Sequence, residues 1–551
     1  MSKELANLLF PNITKDINYY EELYPKRNLS VGAVVTRIAP SPTGFVHMGS
    51  LRTAFIARKI ATDTEGVFFL RIEDTDDKRS VENGIKGIVD DFSNFNFKID
   101  EGMITETEEI GNYGPYIQSK RAEIYQTFAK YLVEKDLSYP CFCSEDDLNE
   151  TRKIQELNKE RLGYYGSFAK CRTLSFDEIK KHLDNGEKFV LRLKSPGDFN
   201  NRVGLDDLVK GKVEFPENDL DIVLLKSDGI PTYHFAHAID DHLMRTTHVI
   251  RGDEWLSSLP IHVQLFSMLG FEVPYYVHVV PVNKKEGDTV RKLSKRKDKE
   301  AALSYYHEKG IPVDVVYLYL MTTANSNFEE WLDKNPDKTL ADFKFDFSKM
   351  STSGSLFDLE KLFNISKNYI SRLKAGEVYN HVTSWASIYD KDFYELLNKY
   401  KEYSIKIFNI EREQAKPRKD FSSYSEVKSQ IWYMYDELFN PKKADYEFKN
   451  IADKEEIIKI LEEYFNGYYN DNDDQETWFN KMKELCDKLG YASNMKEYKE
   501  TPDKFKGNVA DISTVLRVAI TSKSMTPNLY DIMQLLGIDR IKQRIELLKN
   551  I

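Results

Sequence analysis

The sequence predicts an α/β doubly wound domain with an α/β insertion, followed by an all-helical carboxy-terminal region. Three observations carry that prediction. Residues 33–72 run strand, turn, helix, strand, the succession and length that a parallel crossover needs. Strand signals of this domain stop between 118 and 220, where the chain carries helices and a strand of its own, and then resume. Beyond residue 300 apolar residues recur at helical spacing and few strand signals remain.

A polar, Tyr-rich leader occupies 1–30, and its plain reading is a packing extension. Ala33–Ala39 (AVVTRIA) has the run of a buried strand, broken by Pro40-Ser41-Pro42-Thr43-Gly44. Leu51, Ala54, Phe55, Arg58 and Ile60 set a helix over Ser50–Thr62, Gly66 ends the connection, and Val67–Ile72 is the next strand. These elements belong to a first half of the sheet domain, 31–117. The insertion, 118–220, holds helices over Arg121–Lys135 and Ser144–Leu162 and a strand over Phe189–Lys194. In the second half, 221–300, strands are expected at Asp221–Leu225, His248–Arg251 and Tyr276–Val282, with a helix over Leu259–Leu269. Two helical regions follow, 301–370 and 371–551, with helices over Glu360–Leu373, Tyr389–Phe408, Glu455–Tyr464, Ser513–Ile520 and Ile538–Leu548.

At roughly 100–200 residues per domain, 551 residues make a multidomain chain. Lys+Arg 78 against Asp+Glu 89 leaves a net charge of −11, which excludes a protein that coats nucleic acid or an anionic membrane by bulk charge. The start, MSKELANLLF, has no long apolar core, and Val315–Met321 is far shorter than the ~20 residues of a membrane span, so no membrane contact is expected. Four cysteines, Cys141, Cys143, Cys171 and Cys486, are too few to staple this chain, which fits a reducing cytoplasm.

Two segments bear chemistry. Arg37 to Ser50 (RIAPSPTGFVHMGS) sits on the first strand-to-helix turn of an α/β sheet, the edge where ligands bind. His47 and Gly49 at the helix start let an imidazole and the backbone approach a phosphate chain, and the helix amino terminus offers N–H groups to negative charge. Taken alone, an ordinary strand–helix loop is the plainer reading. The second segment, Lys284–Lys299, holds eight basic residues against Glu286, Asp288 and Asp298. Such a loop is usually a solvated face or a nucleic-acid patch, but a mobile cationic loop after a strand could instead close over a triphosphate.

In order and spacing the two segments resemble the signature elements of class I aminoacyl-tRNA synthetases. His47-Met48-Gly49-Ser50 is similar to the "HIGH" element and Lys292-Leu293-Ser294-Lys295-Arg296 to the "KMSKS" element. Arg-Ile-Ala-Pro-Ser-Pro-Thr-Gly at 37–44, Arg-Ile-Glu-Asp-Thr-Asp at 71–76, Tyr233 to Met244 and His248 to Trp255 resemble the bacterial-type glutamyl-tRNA synthetase family more closely still. The resemblance weakens after about residue 370.

What the resemblance implies is a Rossmann-like catalytic domain (31–117 and 221–300), an inserted acceptor-stem-binding domain (118–220), a helical stem-contact domain (301–370) and a helical anticodon-binding domain (371–551). It implies a cytoplasmic monomer that joins L-glutamate to tRNA(Glu), using ATP with Mg²⁺. His47 and Lys295 are the implied catalytic residues. Gly49, Ser50, Glu254, Trp255, Lys292, Leu293, Ser294 and Arg296 join them around ATP. Arg37, Ala39, Ser41, Glu73, Tyr233, His237 and Arg251 are implied to hold glutamate, with His237 standing where the family often has Asn. The physics agrees: guanidinium forks suit the glutamate carboxylates and Glu73 suits its ammonium, although each could instead form a structural ion pair.

Some alternatives stay open. Charging of tRNA(Gln) as well rests on anticodon contacts in the least matched region. Six of ten histidines fall between 234 and 278, and His234, His237, Asp240, Asp241 and His242 could be a hydrolase's metal ligands. Cys141, Cys143 and Cys171, with Tyr165, resemble a structural Zn²⁺ site that some family members carry in the insertion, and small buried thiols are the equal alternative. If Lys295 neutralises the α-phosphate only in the transition state, Lys295→Ala should lower kcat by ~10²–10³ with little change in the ATP KM, whereas Lys297→Ala should not. Steady-state aminoacylation kinetics check this.

Overall fold

Parallel strands β1 (Val35–Ile38) and β2 (Val67–Leu70), with helix Met48–Asp63 between them, form the expected crossover. The computed structural model describes residues 2–76, 81–294 and 296–550. Two compact units divide the chain: Met1–Tyr305 with Tyr317–Asp358, and Tyr306–Val316 with Leu359–Ile551.

In the first unit β3 (Glu101–Met103) adds to β2 in parallel, and β4 (Glu109–Ile110) closes that edge antiparallel. The insertion pairs β5 (Ser138–Cys141) with β6 (Val190–Leu193) antiparallel and adds a hairpin, β7 (Arg202–Asp207) and β8 (Gly211–Pro216), that the sequence did not reveal. Its exposed residues lack an apolar run. The segment expected to reopen the main sheet at Asp221–Leu225 forms β9 (Val223–Leu225), and β9 pairs with β6 of the insertion instead. Buried Asp221 explains the difference. It accepts from the Tyr139 hydroxyl (2.6 Å), Arg172 (2.7 Å) and the Ser195 amide (2.8 Å), all residues of the insertion.

The second half of the main sheet is β10 (His248–Gly252) parallel to β11 (Tyr275–Val279), which also takes Asp207 of β7 alongside Tyr276. Thr247 joins the halves: its amide donates to Val35 O (3.0 Å) and its hydroxyl accepts from Val35 N (2.9 Å). The strand expected over Tyr276–Val282 stops at Val279, because Pro281 has no amide for a ladder bond. The chain then forms β12 (Val282–Glu286) and β13 (Thr289–Lys292), a hairpin turning at Gly287, whose φ of +60° suits glycine. Helix Glu145–Leu157 is shorter than expected, and Lys159 beyond it has a φ of +56°.

The leader forms helices Ser2–Leu9 and Ile17–Leu23, with Ala6 and Tyr20 buried. Arg27 forks onto Glu101 of β3 (2.7 and 2.9 Å) and donates to Met244 O, and Glu21 accepts from Arg245 (2.7 Å). It therefore packs across both halves of the sheet.

The second unit is helical around Val378, Val382, Phe393, Leu397, Leu485, Ile512 and Ile541. The helix expected over Tyr389–Phe408 is two, Lys391–Lys399 and Lys401–Asn409, because Tyr400 leaves helical backbone angles. Buried Arg412 donates to the carbonyls of Ile370, Leu373 and Phe408, which closes two helix ends. No helix among the described residues is long and apolar enough to cross a membrane.

The first unit centres on two buried neighbours in helix Tyr233–Leu243. Asp240 accepts from Arg121 Nε (2.8 Å), the Tyr125 hydroxyl (2.8 Å) and Gln118 Nε2 (2.8 Å). Asp241 accepts from Arg37 Nε (3.0 Å) and Nη2 (3.1 Å) and from Arg71 Nη1 (2.8 Å). Burial alone would raise the Asp241 carboxyl, but Arg37 and Arg71 outweigh it and hold it well below 3.8. Asp241→Asn, which leaves buried Arg37 without its carboxylate and takes one of three from Arg71, should cost roughly 3–5 kcal/mol in urea unfolding at pH 7. A depressed carboxyl stabilises above its unfolded value of 3.8 and loses that contribution as pH falls below it. The gap between wild type and variant should therefore close on acidification below about pH 4.

Candidate active site

The carboxyl ends of β1, β10 and β11 open onto a cavity of about 1230 Å³. One wall is Arg37 to Ala39, the Pro40–Gly44 turn and His47 to Ser50; the other is Tyr233, Arg251 to Trp255 and the exit of β11, with Lys292 and Leu293 at the basic hairpin. A crevice at the carboxyl edge of an α/β sheet is where such folds take ligands.

His47 is the N-cap of helix Met48–Asp63, and its Nδ1 accepts from the Ser50 amide (3.1 Å). In a neutral ring Nε2 then carries the proton and donates to Ser50 Oγ (3.2 Å). Gly49 leaves room for the ring where it lies, since a Cβ there would meet it at 2.9 Å. The first turn of this helix therefore presents amides and an imidazole to the cavity together.

Three buried charged groups also line the cavity. Arg37 is held by Asp241 through Nε and Nη2, so the expected cation is also a structural ion-pair partner. Glu73 is bonded to Arg71 (3.0 Å); burial pushes its carboxyl up from 4.5 against the pull of Arg71 and Arg37. Arg251 differs from both. Its Nε donates to His278 Nε2 (3.0 Å), Nη1 to His262 Nδ1 (2.9 Å) and Nη2 to Trp255 O (3.2 Å), and among the described residues it forms no ion pair. Tyr233 lies over the same region, its ring 4.3 Å from that of Trp255.

Ala39, Ser41, Glu254 and Trp255 also line the cavity, and Glu254 pairs with Lys292 at 3.6 Å. Ser294 and Arg296 do not: the Ser294 amide donates to Asp298 (2.8 Å), and Arg296 is exposed. Lys295 lies outside the described residues.

His237, expected at the glutamate site, is a correction. It is fully buried and absent from the cavity wall, with Nε2 3.0 Å from the Tyr276 hydroxyl and Nδ1 2.8 Å from Asp241, off the line of a good hydrogen bond. One helical turn beyond Tyr233, it stands behind that ring and next to Arg37's partner. Burial drives its imidazole down to about 3. The metal reading of this helix also falls. His234 Nδ1 faces His262 (2.9 Å), Asp240 and Asp241 hold arginines, and His242 pairs with Glu21 (2.5 Å).

Among the described residues the one group of His, Cys, Asp or Glu placed to hold a metal is Cys141, Cys143 and Cys171, with sulfurs within 4.8 Å of one another. Cys143 and Cys171 are 3.6 Å apart, close to the about 3.8 Å between thiolates that share a tetrahedral zinc at ~2.3 Å each. The expected Tyr165 ligand is a correction: its hydroxyl donates to Arg161 O (2.9 Å). Tyr164 takes the place, its hydroxyl 3.4 Å from Cys141 and 3.3 Å from Cys143.

Residues 33–362 match the family of "tRNA synthetases class I (E and Q), catalytic domain", and residues 392–548 match an "Anticodon binding domain". The chain belongs to the class I tRNA synthetases of the E and Q kind. The synthetase is 48% identical over 550 residues to a glutamate–tRNA ligase of Clostridium beijerinckii, with all of both chains covered. It is 49% identical over 544 residues to one of Clostridium perfringens, covering 98% of this chain and 100% of the other. A crystal structure of a glutamate tRNA ligase from Elizabethkingia meningosepticum in complex with its amino acid superposes with a TM-score of 0.74 at 26% identity, covering 94% of this chain and 100% of that one.

Sequence reasoning missed Asp207, His262 and His278 around Arg251, and Asp241 behind Arg37. The density of histidines between 234 and 278 was the available signal, but the partners come from four separate elements.

Proposed function

We propose that this synthetase activates L-glutamate with ATP and transfers it to the 3′-terminal adenosine of tRNA(Glu). The observation that carries the reading is Arg251: a buried cation on the cavity wall whose own side-chain partners are neutral, in the cavity that the carboxylate of Glu73 also lines. An acidic amino acid supplies the anion that Arg251 lacks and the ammonium that a desolvated Glu73 favours. Full-length relatives named glutamate–tRNA ligase support the same substrate.

The chemistry needs no nucleophile from the protein. A substrate carboxylate oxygen attacks the α-phosphorus and pyrophosphate leaves; a ribose hydroxyl of the tRNA then attacks the adenylate carbonyl and AMP leaves. Arg37, Ser41, Tyr233 and Arg251 orient the amino acid. His47, through its Nε2 proton, and the amides of Gly49 and Ser50 meet phosphate oxygens, with Lys292 of the basic hairpin and Lys295, three residues on in sequence, adding cations. Glu254 and Trp255 flank the nucleoside. Mg²⁺ bound with ATP supplies charge neutralisation on the phosphates. The insertion, 118–220, is assigned to the acceptor stem, 301–370 to stem contact and 371–551 to the anticodon. Aminoacylation with purified tRNA(Glu) and tRNA(Gln) tests the reading: glutamate should be esterified to tRNA(Glu), and failure to charge it would overturn the assignment.

Cys141, Cys143, Cys171 and Tyr164 would hold zinc as a structural clip for the insertion. Purified protein should carry about one zinc per chain, lost in Cys141→Ser/Cys143→Ser, as metal analysis would record. For the amino acid, Arg251→Ala should raise the glutamate KM and lower kcat/KM by ~10²–10³, with the ATP KM barely moved. Equal loss in glutamate and ATP parameters would make Arg251 a scaffold residue.

A further inference from the structure

Among the described residues, Arg251 is surrounded in a way that no other cation on the cavity wall shares. Arg37 is forked onto Asp241, and Arg52 is anchored to the carbonyls of Val280 (2.9 Å) and Thr323 (2.8 Å). Arg251 instead rests between two imidazoles, His262 and His278, both fully buried. A guanidinium only donates, so the facing nitrogens, His262 Nδ1 and His278 Nε2, must accept and carry no proton. The opposite nitrogens then carry the protons. His278 Nδ1 donates to Asp207 Oδ2 (2.7 Å), and His262 Nε2 donates to His234 Nδ1 (2.9 Å). Asp207 is itself fixed by the amides of Val209 (2.9 Å), Lys210 (2.7 Å) and His278 (3.0 Å). Each ring is therefore locked in one tautomer from behind and presents a neutral acceptor to the cation.

We propose that His262 and His278 are positioning residues that aim Arg251 through neutral acceptors, so that its charge is left for the carboxylate of an acidic amino acid. The inference rests on Arg251 being that substrate's cation, as argued above. A carboxylate in place of either ring would hold the guanidinium as well or better, but would neutralise it and turn the pocket against anionic substrates. Neutral acceptors orient the fork without competing for it.

The isosteric pair His262→Gln and His262→Glu separates this role from packing, because the two side chains differ in charge and hardly in volume. Aminoacylation by the full-length enzyme is measured with glutamate and ATP varied in turn. His262→Gln should raise the glutamate KM about threefold and His262→Glu by ~10² or more, with the ATP KM within twofold in both. His278→Leu should raise the glutamate KM ~10-fold, and His278→Gln, which restores an acceptor, should recover most of that. Gln and Glu variants at 262 within twofold of each other, or glutamate and ATP KM values rising together, would overturn the proposal. If Arg251→Ala shows its glutamate defect while the histidine variants do not, only the positioning role fails. If Arg251→Ala spares glutamate kinetics, the substrate reading itself fails.

Discussion

The first unit depends on one electrostatic constraint, the burial of two adjacent carboxylates. Asp240 and Asp241 follow each other on helix Tyr233–Leu243 and diverge around its axis, so each gathers hydrogen-bond donors of its own while Arg71 lies within ion-pair distance of both (3.7 and 2.8 Å). Asp240 draws in Gln118, Arg121 and Tyr125, where the insertion begins, and Asp241 draws in Arg37 from β1 and Arg71 beyond β2. Removing such charges from water is expensive unless each is paired and hydrogen-bonded, so these elements have little freedom to move apart. The binding crevice inherits that rigidity: Arg37 and Glu73 reach it from the two ends of the same network.

The cavity uses its cations in two ways. Those that build the wall are matched locally, Arg37 by a carboxylate and Arg52 by carbonyls. Arg251, held by imidazoles, keeps its charge uncompensated in a buried position, which is costly until an anion arrives. Glu73 on the same cavity, although bonded to Arg71, is desolvated enough that its carboxyl is pushed up, and an ammonium would favour its ionised form. A substrate bearing both an ammonium and carboxylates relieves both, and that reciprocity underlies the choice of an acidic amino acid. The three thiols and Tyr164 make a second polar centre that ties the end of β5 to the loops around Tyr164 and Cys171.

Local signals in the sequence were reliable where one element carried the whole pattern. The buried run and turn around Ala33–Gly44, and the helix after His47, follow from β-branched residues, prolines and helically spaced apolar residues, all within a short window. Pattern failed where partners were distant. Asp221–Leu225 has the composition of a strand for either sheet, and only the hydrogen bonds of Asp221 with Tyr139, Arg172 and Ser195 assign it to the insertion. The β7–β8 hairpin packs only Val203, Leu205, Val213 and Phe215 against the sheet, and that short alternation is diluted by the polar and glycine residues between.

By itself the sequence determined the doubly wound start, the interrupted sheet, the helical carboxy-terminal half and the two segments that resemble the synthetase signatures, because spacing along the chain encodes each of these. Tertiary structure alone decided which candidate side chains reach the crevice. It placed His237 behind Tyr233, turned Tyr164 rather than Tyr165 to the thiols, and gathered His262, His278 and Asp207 around Arg251. The physical reason is that the direction and partner of a polar side chain depend on what lies across from it, and in a parallel sheet those neighbours come from strands and helices far apart in the chain.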